Sequence, residues 1–257
     1  MLALPGSGFS QVQSRIDSLQ SLLDASSPEE KVRLFCEISE LYWHRSFDTS
    51  LVMAIYARNL AEEINDPELL ATSLAMVGNA YYQLGDYPNS MEFYHQALEI
   101  QESLGDTASI AGSLNNIGAV YLRMDDEQQA LRYFKKSGAY FRHLKNDRQL
   151  FPILNNIGAV YADLEILDTA LIYFHQAADV ARRSGDKNNL SIALANLGET
   201  SLSMGLYDES EEFQLQAYDI SRGLRNLNMM ATVKSNLGKL YLERKEFDEA
   251  LRSFQES

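Results

Sequence analysis

Leu114–Tyr121 reads LNNIGAVY, and the same eight residues return unchanged at Leu154–Tyr161, 40 positions on. Further steps of 40 reach LAMVGNAY at Leu74–Tyr81, LANLGETS at Leu194–Ser201 and KSNLGKLY at Lys234–Tyr241. Gly78, Gly118, Gly158, Gly198 and Gly238 therefore form one column without an insertion. One step earlier lies LFCEISEL at Leu34–Leu41, where Ile38 replaces the glycine. A degenerate first copy is what terminal repeats usually show.

Inside one copy, Leu114, Ile117, Gly118 and Tyr121 are spaced i, i+3, i+4, i+7, the stripe of a helix that buries one face. After Asp125-Asp126 a second stripe follows, carrying Ala130, Leu131, Phe134, Ser137, Phe141 and Leu144. Each copy thus predicts a hairpin of two helices, A and B. Small residues recur at Ser50, Ser90, Ala130, Ala170, Ser210 and Ala250, and again at Ala57, Ala97, Ser137, Ala177 and Ala217, where helices must approach closely. Aromatic residues stand between them at Tyr94, Phe134, Phe174 and Phe254.

Turn chemistry falls where this reading needs it. Gly85-Asp86 separates A from B, and Gly105-Asp106, Lys145-Asn146-Asp147, Gly185-Asp186 and Arg225-Asn226 separate copies. Glycine suits the left-handed residue that ends a helix, and Asp or Asn caps the next one. Phe151-Pro152 predicts a break near the start of its helix A, since proline removes a helical hydrogen bond. An isolated hairpin cannot hide both apolar stripes, so neighbouring copies must stack. The expected architecture is an all-α solenoid: a start at 1–10, an N-terminal helix at 11–25, and an array with copies at 26–65, 66–105, 106–145, 146–185, 186–225 and 226–257, the last partial.

The columns Leu114, Ile117, Gly118, Tyr121, Ala130, Phe134 and Ser137 resemble the tetratricopeptide repeat over about residues 26 to 257. The commonest form of that repeat has a period of ~34 residues. The longer period here is similar to that of kinesin light chains, Pins-type spindle adaptors and bacterial Rap-type regulators. It is most similar to the helical sensor regions that precede histidine kinases, nucleotide cyclases or helix-turn-helix domains. The resemblance implies a right-handed superhelix that binds a protein or peptide in its concave groove, as the sensory or regulatory part of a larger bacterial signalling protein. It equally implies two alternatives: a dimerisation and signal-transmission module for an output domain beyond Ser257, or an adaptor that binds through its convex face.

Composition narrows the partners. A formal charge of −14 argues against a phosphate-binding surface, so nucleic acid is not expected. No stretch approaches the roughly 20 apolar residues needed to span a bilayer. Cys36 is the single cysteine, which excludes an internal disulfide and a thiolate zinc cluster. Neither a cofactor nor a metal is expected, and the scattered histidines His44, His95, His143 and His175 offer no convergent acid–base set. The reading is of a binding protein, not an enzyme. MLALPGSGFS at residues 1–10 reads either as the trimmed end of a signal peptide or as a plain flexible start, leaving periplasm and cytoplasm both open.

The candidate ligand-binding residues come from helix A. Two positions before the glycine stand Met76, Asn116, Asn156, Asn196 and Asn236. An Asn amide donates and accepts, so a ladder of four can pair with the main chain of an extended peptide whatever its sequence. In the resembling families, asparagines in this column contact ligand main chain. The alternative is that each one braces a neighbouring helix. Along the same face lie Asn79, Glu199 and Lys239, then Tyr82, Leu122 and Leu202, with Arg123 one residue on. The groove is expected to be mixed in character. With Arg123 and Lys239 as its only cations it lacks the clamp that recognises a C-terminal carboxylate. Trp43 either opens the groove or covers the edge of the first copy. Glu209, Glu211 and Glu212 are expected to be solvated surface.

Overall fold

The computed structural model describes residues 7–257 apart from His44, with side chains from Gln11 onward. Of the expectation for residues 1–10, the part on 1–6 lies outside the described residues. The described residues are helical and without strands. α1 (Ser7–Leu22) leads through one 3-10 turn (Leu23–Ala25) to α2 (Pro28–Tyr42), α3 (Phe47–Glu63), α4 (Pro67–Leu84), α5 (Tyr87–Leu104), α6 (Thr107–Arg123) and α7 (Glu127–His143). There follow α8 (Asp147–Asp163), α9 (Leu167–Ser184), α10 (Lys187–Ser203), α11 (Tyr207–Leu224), α12 (Leu227–Glu243) and α13 (Phe247–Gln255). The chain falls into two compact units, residues 1–133 and 134–257. Each is a piece of α-solenoid in which helical hairpins stack.

Helix ends recur every 20 residues. Asn65, Gly85, Gly105, Asp125, Lys145, Glu165, Gly185, Gly205, Arg225 and Lys245 all have positive φ, between 52° and 77°. That left-handed residue lets the chain turn back and satisfy the last carbonyls of the helix: Gly85 N donates to Tyr82 O at 3.1 Å and Asp86 N to Tyr81 O at 3.0 Å. The next residue caps the following helix. Asp66, Asp86, Asp106, Asn146, Asp186 and Asn226 each accept from the backbone N–H three residues on. Ile166, Leu206 and Glu246 occupy the same position without a side-chain cap.

The glycine column has a steric cause. A Cβ built on Gly78 would lie 2.8 Å from the Tyr94 ring, on Gly158 2.7 Å from Phe174, and on Gly238 2.6 Å from Phe254. Helix B seats its aromatic ring against the bare backbone of helix A, and fully burying such a ring contributes about 1.5–3 kcal/mol. The serines of the second column tie the two helices together. Ser90 Oγ donates to Gly78 O at 2.8 Å and Ser210 Oγ to Gly198 O at 2.7 Å. Ser39 and Ser50, in the first copy, each donate to the other's carbonyl.

Two expectations are corrected. α8 runs unbroken through Pro152. Pro152 is exposed while Leu150, Phe151, Ile153 and Leu154 around it are buried, so tertiary packing holds the helix despite the missing N–H. Glu211 is half-buried rather than solvated: it accepts from Tyr241 Oη at 2.8 Å and pairs with Arg244.

Candidate ligand-binding recesses

In each unit the A helices of adjacent copies border a recess, and the two recesses are related by two repeat steps. The one in residues 1–133 has a volume of about 320 Å³ and is lined by Trp43, Asn79, Tyr82, Gln83, Tyr94, Asn116 and Ala119. The one in residues 134–257, of about 300 Å³, is lined by Ala159, Ala162, Asp163, Leu167, Phe174, Asn196, Glu199, Thr200 and Ser203. Asn79 and Ala159 are 80 positions apart, as are Tyr82 and Ala162, Gln83 and Asp163, Tyr94 and Phe174, Asn116 and Asn196, and Ala119 and Glu199. The helix-B ring that sits on the glycine column also forms a wall of the recess.

In the first recess the polar side chains hold one another. Tyr94 Oη donates to Asn79 Oδ1 at 2.5 Å, and Asn116 Nδ2 donates to the same oxygen at 3.3 Å. Burial pushes the Tyr94 phenol up, keeping it a donor. Arg123 Nε donates to Tyr82 Oη at 3.0 Å, a bond that raises the guanidinium further above its already high range. Trp43 packs against the core of the first hairpin and lines the recess as well, with its indole nitrogen shielded and without a partner among the described residues. In the second recess Asn196 Nδ2 donates to Asn155 Oδ1 at 2.7 Å, and Thr200 Oγ1 to Asn196 O at 2.8 Å.

The structure thus brings Asn79, Tyr82 and Asn116 together in one recess and Asn196 and Glu199 together in the other. Leu122 and Leu202 are half-buried on the same helices but outside the lining, and Arg123 is exposed. Asn156 is half-buried, and its amide has no partner among the described residues. Asn236 is only 5% exposed and lies 3.4 Å from the Lys239 ammonium, which also reaches Glu199 at 3.5 Å. Bracing therefore does occupy Asn116 and Asn196. Each amide keeps a second N–H and an oxygen with lone-pair capacity. Trp43, read from the sequence as either opening the groove or covering the first copy, does both, and Gln83 and Asp163 lie one residue beyond Tyr82 and Ala162 on the same helix face.

The tetratricopeptide-repeat profile matches residues 68–141, 149–223 and 192–257. The chain belongs to the tetratricopeptide-repeat family. No curated protein matches it in sequence. Among solved structures it is similar to BtubC (BKLC) from P. vanneervenii, with a TM-score of 0.70 and 20% identity over 84% of this chain and 90% of that one. It is also similar to the signal-transduction ATPase of the STAND class with a tetratricopeptide repeat sensor from Pyrococcus horikoshii, with a TM-score of 0.78 and 14% identity over 94% of this chain and 38% of that protein. A third similarity is to a Rap protein complexed with Competence and Sporulation Factor, with a TM-score of 0.71 and 16% identity over 97% of this chain and 70% of that one. At these identities the likeness establishes the fold.

Proposed function

We propose that the chain is a peptide- or protein-binding scaffold, the sensory or regulatory region of a signalling protein, and that it takes an extended segment along the A helices. The observation that carries this reading is the pair of repeat-related recesses, each walled by an aromatic ring and edged by asparagine amides with hydrogen-bonding capacity left over. A recess of this size accommodates one side chain, with main-chain groups of the ligand reaching the amides. The Rap protein solved with Competence and Sporulation Factor and the STAND protein with a repeat sensor support the analogy at the level of fold.

The test is a random-peptide selection on the wild-type chain, followed by calorimetry of the selected peptides on wild type and on an Asn79→Ala/Asn116→Ala/Asn196→Ala variant. Circular dichroism verifies that the variant is folded. The expected outcome is a loss of about tenfold or more in affinity, as for removal of main-chain hydrogen bonds from a desolvated site. Undiminished affinity in the folded variant would sink the groove assignment.

A further inference from the structure

A third recess, independent of the groove reading, lies in residues 134–257 at the C-terminal end of α7. Its volume is about 460 Å³, and Arg142, Lys145, Asp147, Leu150, Leu154, Gln176, Asp179, Val180 and Arg183 line it. Its floor is the edges of Leu150, Leu154 and Val180, and its rim is cationic. Asp147 is already neutralised by a two-pronged pair with Arg183, at 2.9 and 3.0 Å. Asp179 accepts from Arg182 at 2.9 Å. The side chains of Arg142 and Lys145 are exposed and have no ion pair or hydrogen bond among the described residues. The rim therefore carries two uncompensated cations.

The surrounding sequence is as unusual for this chain. Between Arg132 and Arg148 stand six Lys and Arg against the single acid Asp147, in a protein of formal charge −14. The repeat supplies its own control. Arg142, Lys145 and Arg183 correspond, 80 positions earlier, to Glu62, Asn65 and Ser103, and 40 positions later to Arg182, Gly185 and Gly223. All of these copies fold, so the hairpin does not require three cations at these positions. Lys145 is moreover held at φ +52°, where glycine stands at two equivalent helix ends, Gly105 and Gly185.

The geometry points to a docking site for an acidic partner segment that inserts one apolar side chain between flanking carboxylates. The apolar floor favours a peptide over a bare anion. The strongly negative remainder of the chain repels extended polyanions such as nucleic acid, while a short acidic segment meets the local positive field first.

The experiment is fluorescence anisotropy with three dye-labelled peptides, Glu-Glu-Leu-Glu-Glu, Glu-Glu-Ser-Glu-Glu and Lys-Lys-Leu-Lys-Lys, with inorganic phosphate as competitor. The first peptide is expected to bind best, more weakly as salt rises. Arg142→Glu/Lys145→Asn, which copies the chain's own residues from 80 positions earlier, is expected to weaken it about tenfold, as for loss of close charge pairs. Lys145→Gly removes a cation while relieving the backbone. It is expected to lower affinity and leave the melting temperature unchanged or raised, a combination that general destabilisation cannot produce. Equal binding of the Leu and Ser peptides, with displacement by equimolar phosphate, would reduce the recess to a plain anion site and overturn the proposal. So would unchanged affinity in both variants.

Discussion

The hairpins α8–α9 and α10–α11 have the same helix lengths to within a residue, the same left-handed ends and the same close glycine, yet are filled differently. In the first, Tyr161 stacks on Tyr173 with ring centroids 5.6 Å apart, and Phe174 lies on Gly158. In the second, Ser201 stands in the tyrosine column and Gln214 lies on Gly198. Gln214 is 1% exposed. Its Nε2 donates to Ala195 O at 3.0 Å, while its Oε1 and the Ser201 Oγ have no partner among the described residues. The backbone is thus set by the small-residue contacts and the helix ends, and the aromatic ring supplies energy more than geometry.

Five substitutions break or sharpen that comparison. Phe174→Ala should cost about 3–5 kcal/mol, the usual loss for a buried ring. Gln214→Ala should cost clearly less, because it also removes an orphaned polar atom; equal losses in chemical denaturation would refute the distinction. Gly158→Ala should cost about 1–3 kcal/mol from overpacking against the rigid Phe174 ring, partly offset by about 1 kcal/mol of helix propensity. Gln214→Phe rebuilds the seat of the first hairpin in the second and relieves an unsatisfied buried oxygen, and a gain of about 1–2 kcal/mol is expected, read as a raised denaturation midpoint. Smallest is Glu165→Gly at φ +58°: relief of left-handed strain minus the extra unfolded-state freedom of glycine should leave a gain of about half a kcal/mol.

Much of the fold was legible because the period is rigid: once LNNIGAVY repeats at 40, the glycine column, both helices and the glycine-bearing turns follow. Glu165 and Lys245 were not legible as helix ends, because their left-handed conformation is imposed by packing on residues that do not favour it, whereas Asp125 stands in the turn that the second stripe already marked. The same packing carried α8 through Pro152. At the site, the sequence placed the asparagine column on helix A, and Asn79, Tyr82, Asn116, Asn196 and Glu199 line recesses. It did not show that Asn116 would bond to Asn79 or Asn196 to Asn155, partners 37 and 41 residues earlier that only stacking selects. The cationic recess was hidden for the same reason, since it needs residues from three helices at once.

The most direct measurement is hydrogen exchange by mass spectrometry on the chain with and without a selected peptide. The account predicts new protection in segments 79–83 and 116–119, in 159–163 and 196–203, or in both sets, with the helix-B faces distant from the recesses unchanged. Tight binding accompanied by protection elsewhere, and none in these segments, would contradict it.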